Sequence, residues 1–332
     1  MRIGVVGLGF GVHLLHTLLT RDDCTVAAVC DHFPERLAGA SAKGIPTFAD
    51  PARMIAESGL DAVVIASAPH VREAALATAF ERGLAVFLEK PLAGTPAQAA
   101  ALVERSEGQR VMLGFSFRFH EPVRRLIAET RGSLGAARVL NAEYLFDWLP
   151  PADGWLWNPA RGGGFFNENS CHLLDVVCAL LGTPVDVHAV GFDDGSRPSA
   201  TAAAATMRFA NGAIAALTLG GVGTGALHDY PRLDLACAGG QARLRGRSHM
   251  WTTLQWAERG GEVRRLEHEP ETLGRTRYSA AFDHFLGALR DGTPFEATPA
   301  DGERAVVLAE AIYRSIASGE PVRPALPDGA RA

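Results

Sequence analysis

The start of the chain constrains its fold more than any other segment. Residues 2–7 are a short apolar run that ends in glycine, which predicts a buried strand, and a helix is predicted over residues 12–20. Gly7 and Gly9 lie between these two elements, as in a dinucleotide-binding βαβ unit. The first glycine permits a tight turn, and the second lets backbone N–H groups approach a pyrophosphate at the helix N-terminus. The alternative is a glycine-rich turn without a ligand.

The residues around this turn bear on the cofactor. The third glycine of the fingerprint G-x-G-x-x-G is displaced, since position 12 is Val12 and Gly11 stands one place earlier, which predicts slightly wider packing of the helix on the strand. Asp31 ends the second predicted strand, 19 residues after Val12, close to the spacing at which an acid binds the ribose hydroxyls. A carboxylate there repels a 2′-phosphate, so the sequence favours NAD over NADP, although Arg36 is nearby. The alternative role for Asp31 is to cap a turn.

Strands and helices continue to alternate to about residue 115, which predicts an α/β fold with a parallel, doubly wound sheet. A second part follows in which strands succeed one another mostly without helices, and this predicts a large, mostly antiparallel sheet. We expect one domain over residues 1–117 and another over residues 118–332, with the C-terminal helices free to pack on the first. The predicted strands are 25–30, 62–66, 85–88, 110–115, 137–146, 185–192, 201–209, 213–219, 233–238 and 250–257. The predicted helices are 34–43, 72–82, 96–107, 169–181, 278–290 and 300–318.

The composition argues against several classes of protein. A chain of 332 residues with 47% hydrophobic and 21% charged residues is typical of a globular protein of about two domains. A net charge of −5 argues against nucleic acid as a partner. Five scattered cysteines without a C-x-x-C motif predict a reduced, cytoplasmic protein without a cysteine metal site. We find no signal peptide or membrane-spanning segment in the sequence, so no membrane partner is expected.

Lysine is unusually rare, because only Lys43 and Lys90 occur among the 32 basic residues. Lys90 lies in the tripeptide Glu89-Lys90-Pro91, directly after the predicted strand 85–88, at the sheet edge where open α/β folds bind ligands. A lysine can lose its proton, whereas an arginine stays charged. A cis bond before Pro91 would fix the direction of the amine. These features predict a catalytic lysine, and the alternative is a surface salt bridge.

A second candidate group follows a glycine triplet at residues 162–164. Glu168, His172 and Asp175 are spaced i, i+4, i+7, which predicts that they share one face of a helix or lead into it. An imidazole flanked by carboxylates serves as a general base near neutral pH. The same three residues are able to bind a divalent ion, but no further ligand cluster is evident, so no metal is expected. The alternative is a polar stripe that faces solvent.

Three tryptophans, Trp148, Trp155 and Trp157, cluster between residues 147 and 161. Aromatic rings suit the C–H faces of sugars, so this segment is a candidate for a loop that closes over a substrate. Packing within a domain interface is the equally weighted alternative.

Taken in order, these motifs resemble the glucose–fructose oxidoreductase, inositol dehydrogenase and rhizopine catabolism (Gfo/Idh/MocA) family. The resemblance covers essentially the whole chain. It implies a Rossmann domain and an open-faced α/β domain whose sheet serves in a homodimer or homotetramer. It also implies NAD(P)-dependent redox chemistry on sugars, cyclitols or related polyols. The motifs that carry it are Gly-Leu-Gly-Phe at 7–10, Glu-Lys-Pro at 89–91, Gly114-Phe115 with Arg118-Phe119 and Pro122, the triplet 162–164, His172 with Asp175, and Tyr278, Phe282 and Phe285 before Gly292-Thr293-Pro294.

The resemblance also assigns roles to residues. Lys90 and His172 carry the acid–base work, with Glu168 as a third catalytic candidate. The substrate-binding candidates are Asp175, Arg118, Trp155 and Tyr278. The cofactor-binding candidates are Gly7, Gly9, Phe10, Gly11, Asp31, His32, Ser67, Ala68, Pro69, His70, Glu89 and Lys90.

This sequence departs from the family pattern at several positions. Glu168 stands where an aspartate is usual, Ser170 where a glycine is usual, and the common Pro-Asn-x-x-His is Pro-His-Val-Arg-Glu at 69–73. These changes bear on the substrate more than on the cofactor. We hypothesise that His172, oriented by Glu168 or Asp175, removes a hydroxyl proton while Lys90 stabilises the alkoxide. The other two interpretations are a non-catalytic NAD- and sugar-binding sensor and a reductase of a non-sugar substrate.

Overall fold

The alternating elements at the start of the chain form one six-stranded parallel sheet in the computed structural model, which describes residues 1–227, 230–269 and 278–326. The strands are β1 (Arg2–Val6), β2 (Thr25–Cys30), β3 (Thr47–Phe48), β4 (Ala62–Ile65), β5 (Ala85–Leu88) and β6 (Val111–Leu113). Their order, β3-β2-β1-β4-β5-β6, is that of a doubly wound nucleotide-binding sheet, as the sequence predicts. Strands β4 and β5 are buried at every position, because crossover helices cover both faces of such a sheet.

Helices connect these strands at nearly the predicted positions. They are α1 (Gly11–Leu19), α2 (Pro34–Ser41), α3 (Pro51–Glu57), α4 (Glu73–Glu81) and α5 (Pro96–Arg105). Helix α3 was not predicted, because its seven residues are too few to show a clear apolar period. Its start is nevertheless encoded locally, since the Asp50 carboxylate accepts hydrogen bonds from the N–H groups of Ala52 and Arg53 and Pro51 occupies the first turn.

The later strands form a second sheet of eight strands. They are β7 (Ala137–Leu145), β8 (Pro184–Phe192), β9 (Ala202–Phe209), β10 (Ile214–Gly220), β11 (Arg232–Cys237), β12 (Gly240–Arg247), β13 (Met250–Glu258) and β14 (Arg264–Glu267). The order is β14-β13-β12-β11-β7-β10-β9-β8, and every pair is antiparallel except β7 with β10. The predicted fold class is therefore confirmed. Strands β12 and β14 were not predicted, because β12 carries two glycines and three arginines that hide its alternation, and β14 has only four residues.

One face of the eight-stranded sheet is buried and the other is open. Residues along β9 and β10 alternate between buried and exposed, which is the period-two pattern of a half-covered strand. The buried face packs in one apolar core with residues of α6 (Glu121–Arg131), α7 (Cys171–Leu181) and α9 (Pro299–Ser318). Helix α6 was not predicted, although Val123, Leu126 and Ile127 follow a helical spacing on its core-facing side.

The chain divides into two compact units. The first comprises Met1–Gly114 and Tyr278–Glu303, and the second comprises Phe115–Arg277 and Arg304–Ala332. The first unit therefore includes α8 (Ser279–Asp291) and the first turn of α9. None of the helices in the described ranges is long and apolar enough to cross a membrane.

Candidate active site

The glycine turn after β1 is shaped by close contacts in the first unit. Gly7 has φ +85°, and a Cβ there would lie 2.7 Å from the backbone nitrogen of Ser67, so only glycine fits. A Cβ at Gly11 would lie 2.9 Å from the Cβ of Ala66, at the first turn of α1. The wider helix–strand packing predicted from Val12 is therefore wrong, because Gly11 makes the close approach that the displaced third glycine would otherwise make. Gly9 is exposed, which leaves the backbone of the turn open to a ligand.

Asp31 connects the end of β2 to this turn. Its buried carboxylate accepts hydrogen bonds from the N–H of Leu8 at 2.7 Å and the N–H of Phe33 at 3.0 Å, and Arg36 lies 3.5 Å from the same group. Burial opposes ionisation of Asp31, but these hydrogen bonds and the guanidinium outweigh it, so its pKa lies below the ordinary aspartate value. The ring of His32 is exposed, and its Nδ1 is 3.9 Å from the carboxylate. The turn thus has an ionised acid beside it.

Arg36 also contacts an aromatic ring. Its guanidinium carbon lies 4.3 Å from the centre of the Phe33 ring, and its side chain is 43% exposed. A cation and an anion therefore stand together at the end of β2. Of these, Asp31 is the buried member and Arg36 the accessible one.

The other predicted cofactor residues follow β4 or flank α1. Ser67 and Ala68 lead into a short 3₁₀ turn over Pro69–Val71, and His70 on this turn is exposed. Phe10 is 42% exposed, and its ring meets the ring of Tyr278 edge to face at 5.9 Å. Tyr278, predicted to bind substrate, is thus placed in the first unit against Phe10. Their roles in binding stay predictions.

The segment Glu89-Lys90-Pro91 lies at the carboxyl end of β5, and the Lys90–Pro91 bond is cis. Lys90 is half-buried, whereas the Glu89 side chain is buried. The Glu89 carboxylate accepts a hydrogen bond from the N–H of Lys90 at 3.1 Å. It also fills the space beside Gly114, where a Cβ would lie 2.8 Å from the carboxylate. The Glu89 side chain therefore packs against Gly114 and the backbone N–H of Lys90.

Arg72 holds this segment through hydrogen bonds to its backbone, a role that the sequence analysis missed. Its guanidinium donates to the carbonyls of Glu89 at 2.8 Å and Pro91 at 3.0 Å, on either side of Lys90, and to the carbonyl of Ser67 at 3.0 Å. Burial lowers the pKa of Arg72 to about 10, and the nearby Glu89 charge opposes that shift. The only sequence signal for this role is Arg72 itself, the fourth residue of Pro-His-Val-Arg-Glu at 69–73. A single buried side chain thus ties the loop after β4 to the lysine segment.

In the second unit, the glycine triplet serves close packing. A Cβ on Gly162 would overlap the backbone of Leu156, and Gly164 has φ +84° and faces the Tyr313 ring. The side-chain amide of Asn167 donates to the carbonyl of Gly162 at 2.8 Å. The triplet therefore fixes the chain that leads into α7.

The helical geometry before His172 differs from the prediction. Residues Phe166–Ser170 form a π-helical turn, and α7 begins only at Cys171. Glu168 therefore belongs to this wider turn and not to α7, so the simple 100° spacing to His172 and Asp175 does not hold. The alternative of a solvent-facing stripe is also wrong, because His172 is only 4% exposed and Asp175 only 3%.

The segment after β6 packs against His172. The Phe117 ring stacks on the imidazole, with ring centres 4.9 Å apart and 29° between the planes. Phe115 approaches the same imidazole edge to face at 6.3 Å. Arg118, which directly follows Phe117, forms a buried ion pair with Asp175, one turn beyond His172. Two predicted substrate-binding residues are thus partners of each other.

Tyr144 and His249 extend this aromatic cluster, and the sequence analysis missed both. The Tyr144 hydroxyl hydrogen-bonds to Nδ1 of His249, and the His249 ring lies 6.1 Å from the ring of His172. Phe117 contacts all three rings. No local motif marks Tyr144 or His249, because they lie 105 residues apart and meet only through the sheet.

The tryptophans divide into two environments. Trp157 is buried, and its indole N–H donates to the carbonyl of Pro151 at 3.0 Å. Trp155 and Trp148 are 36% and 42% exposed. Of these three tryptophans, only Trp148 and Trp155 therefore have a ring that is accessible to a ligand in the second unit. In the described parts of the chain, no group of three or more His, Cys, Asp or Glu side chains is arranged to hold a metal ion.

Two matches to known protein families correspond to the two sheets of the fold. Residues 1–117 match the oxidoreductase family with an NAD-binding Rossmann fold, and residues 120–243 match the GFO/IDH/MocA C-terminal domain. The first match defines the class, a protein with an NAD-binding Rossmann domain. Because the two matches together cover most of the chain, it belongs to the Gfo/Idh/MocA family, as its motifs predict.

Individual relatives share modest sequence identity with this chain. The chain is 28% identical to inositol 2-dehydrogenase 4 of Saccharopolyspora erythraea over 96% of this chain and 94% of that protein. It is also 28% identical to D-xylose 1-dehydrogenase (NADP(+)) 2 of Haloferax volcanii, over 58% of this chain and 61% of that protein. Three curated relatives, this one among them, are matched over only 54–61% of their own length. Among solved structures, an Agrobacterium radiobacter oxidoreductase in complex with NAD+, L-tartaric acid and magnesium superimposes with a TM-score of 0.84 at 21% identity, covering 97% of this chain and 98% of that one. This likeness shows the fold.

Proposed function

We propose that the protein is an NAD-dependent dehydrogenase that oxidises a secondary hydroxyl group of a sugar, cyclitol or related polyol, or reduces the corresponding ketone. The observation that carries the proposal is Lys90, which stands at the carboxyl edge of a nucleotide-binding sheet on a segment held by Arg72. Relatives named as inositol and D-xylose dehydrogenases support the substrate class. Retention of His172 in the second unit supports catalysis over mere binding.

The first unit provides a cradle that fits NAD. Gly7 and the exposed Gly9 leave backbone N–H groups open at the start of α1, where a pyrophosphate binds favourably. The Asp31 carboxylate has capacity for further hydrogen bonds besides those from Leu8 and Phe33, and we assign it to the ribose hydroxyls. Its ionised state repels a 2′-phosphate, so NAD is preferred to NADP, with the accessible Arg36 as the opposing charge.

When bound, NAD supplies a nicotinamide ring that accepts a hydride. His172 takes the proton of the substrate hydroxyl as the C–H bond breaks, and the product is a ketone. Lys90 stabilises the negative charge that develops on the oxygen. The stack on Phe117 fixes the plane of the His172 ring, and the pair of Arg118 with Asp175 fixes the helix that carries it.

The test is NADH formation with a panel of D-xylose, D-glucose, myo-inositol and other polyols, with NAD and NADP compared. We expect turnover of at least one polyol and a higher kcat/KM with NAD than with NADP. Tight NAD binding without turnover of any panel member would instead identify a sensor. Turnover of an imine or another non-sugar substrate alone would contradict the polyol assignment.

We further propose that the open face of the eight-stranded sheet pairs with a second copy of the chain. This face exposes apolar side chains on β8 and β10, the strands on either side of β9, with Val190 68%, Phe192 52% and Ile214 49% exposed. Small side chains such as Ala204 and Ala216 lie between them and leave room for close approach. A patch of this kind is typical of an interface between subunits.

The oligomeric state is tested by light scattering during gel filtration. Ile214→Glu on the open face is expected to shift the protein toward the monomer. Val263→Lys, at a residue that is 69% exposed in the turn before β14, is the matched control and is expected to leave the mass unchanged. A wild-type monomer, or equal masses for the wild type and Ile214→Glu, would contradict the proposal.

A further inference from the structure

The turn between β12 and β13 adopts an unusual backbone. Arg247 and Met250 pair across the hairpin, which leaves Ser248 and His249 as a two-residue turn. Both have positive φ, +51° and +68°, and neither is glycine. Turns of this kind strongly favour Asn-Gly, because side chains crowd the backbone in the left-handed region. Such residues persist where the surroundings hold them, and they concentrate at functional sites.

The surroundings of His249 explain how it is held. Its ring lies parallel to the Tyr144 ring, with 21° between the planes, and Nδ1 hydrogen-bonds to the Tyr144 hydroxyl. Phe146 meets it edge to face at 4.7 Å, and Phe117 lies 5.1 Å away. The left-handed turn is what points this imidazole inward from the hairpin. Ser248, by contrast, is exposed.

His249 is also a neighbour of the proposed general base. The rings of His249 and His172 are 6.1 Å apart, and Phe117 packs against both. Tyr144 is fully buried, whereas His249 is only half-buried. Of the phenol–imidazole pair, His249 is therefore the member able to touch a ligand.

We propose that His249 is a specificity-determining residue that donates a hydrogen bond to a substrate hydroxyl beside the reacting carbon. This inference rests on the proposed polyol dehydrogenase function. The Tyr144 hydroxyl lies beside both ring nitrogens of His249, nearer to Nδ1 than to Nε2, so Tyr144 fixes the position of the ring whose N–H donates to the substrate. The flanking Phe117 and Phe146 rings suit the C–H faces of a sugar or cyclitol. The site thus selects a polyol with a neighbouring hydroxyl over a simple secondary alcohol.

The hairpin offers variants that separate the imidazole from the backbone strain. His249→Gly relieves the positive φ but removes the ring that packs on Tyr144 and hydrogen-bonds to its buried hydroxyl, so we expect a moderately lower Tm with the fold retained. We expect its KM for the turned-over polyol to rise about tenfold, with kcat within about threefold. Ser248→Gly relieves the same turn and keeps the imidazole, so its KM is expected to stay at the wild-type value. His249→Asn, which tolerates positive φ and retains an N–H donor, is expected to recover part of the loss.

A deoxy analogue that lacks the neighbouring hydroxyl completes the test. For the wild type we expect its KM to be about tenfold higher than that of the polyol, and for His249→Gly we expect the two KM values to agree. Equal KM values for the polyol in the wild type and His249→Gly, with turnover retained, would overturn this inference and leave the proposed function intact. A wild-type chain that turns over no polyol would overturn the proposed function and this inference with it.

Discussion

Arg118 and Asp175 form an ion pair that joins the segment after β6 to the middle of α7. Their side chains are only 10% and 1% exposed, so the two opposite charges compensate each other away from water. His172 lies one turn before Asp175, and Phe117 lies directly before Arg118. The pair therefore holds together the two elements that stack Phe117 on His172.

Breaking this pair is expected to destabilise the fold. Asp175→Asn removes a carboxylate from the buried Arg118 charge, and the free energy of unfolding in urea should fall by about 3 kcal/mol. Glu57→Gln breaks the exposed pair with Arg53 on α3 and should cost under about 1 kcal/mol. The double variant Arg118→Met with Asp175→Asn should lose less than the sum of the single losses. Additive losses would show that the two charges do not interact.

The glycine turn is expected to tolerate no side chain. Gly7→Ala combines a positive φ with a clash against the backbone of Ser67, so it should cost roughly 3 kcal/mol and weaken NAD binding more than tenfold. Gly44→Ala is the matched control, because Gly44 has φ +72° but no atom within 4 Å of its Cβ position. It should cost about 1 kcal/mol and leave the Kd for NAD unchanged. Equal effects of the two substitutions on stability and Kd would argue against a specific role for Gly7.

Asp31 is expected to make stability depend on acid pH. Because its folded pKa lies below the unfolded value, its contribution is complete above the unfolded pKa of about 3.9 and is lost as the pH falls through the folded pKa. Asp31→Asn should remove this part of the fall in Tm at acid pH. It should also weaken NAD binding. Asp22→Asn, at an exposed aspartate before the start of β2, is the control and should leave NAD binding unchanged. If the Tm of Asp31→Asn fell at acid pH as much as that of the wild type, the lowered pKa of Asp31 would be contradicted.

Arg72 is expected to act as a positioning residue for Lys90. Arg72→Met leaves the carbonyls of Glu89 and Pro91 without their donor, so both stability and kcat should fall. Arg72→Lys restores a charge but not the planar fork, and we expect it to recover stability more than kcat. Arg82→Met, at an exposed arginine, should be neutral in both measurements. A kcat that simply follows stability across these variants would indicate a structural role alone.

The accuracy of the sequence predictions follows from the physics of each segment. Strands β2 and β5 were predicted to the residue, because a buried parallel strand is a continuous apolar run with sharp ends. The π-helical turn before α7 has no comparable signal, so the sequence left open whether Glu168 shares a helix face with His172 or only leads into the helix, and the structure shows the second. Single-residue expansions of a helix depend on packing that a short window does not contain.

The candidate site was predictable only where local motifs encode it. Asp31 and Lys90 follow predicted strands directly, so their places at the sheet edge came from the sequence. The contact of Tyr144 with His249 requires the pairing of four strands, and no local pattern specifies it. Arg72 likewise acts through three backbone carbonyls that lie in two loops.

The most direct test of the central claim is the rate of NADH formation by Lys90→Met and His172→Ala with the polyol that the wild type oxidises. We expect each substitution to lower kcat/KM by at least about a hundredfold, because in the proposed mechanism each removes a group that moves or stabilises charge at the reacting hydroxyl. The Kd for NAD of His172→Ala should stay close to the wild-type value. Turnover near that of the wild type in both variants would contradict the assignment of Lys90 and His172 to the chemistry.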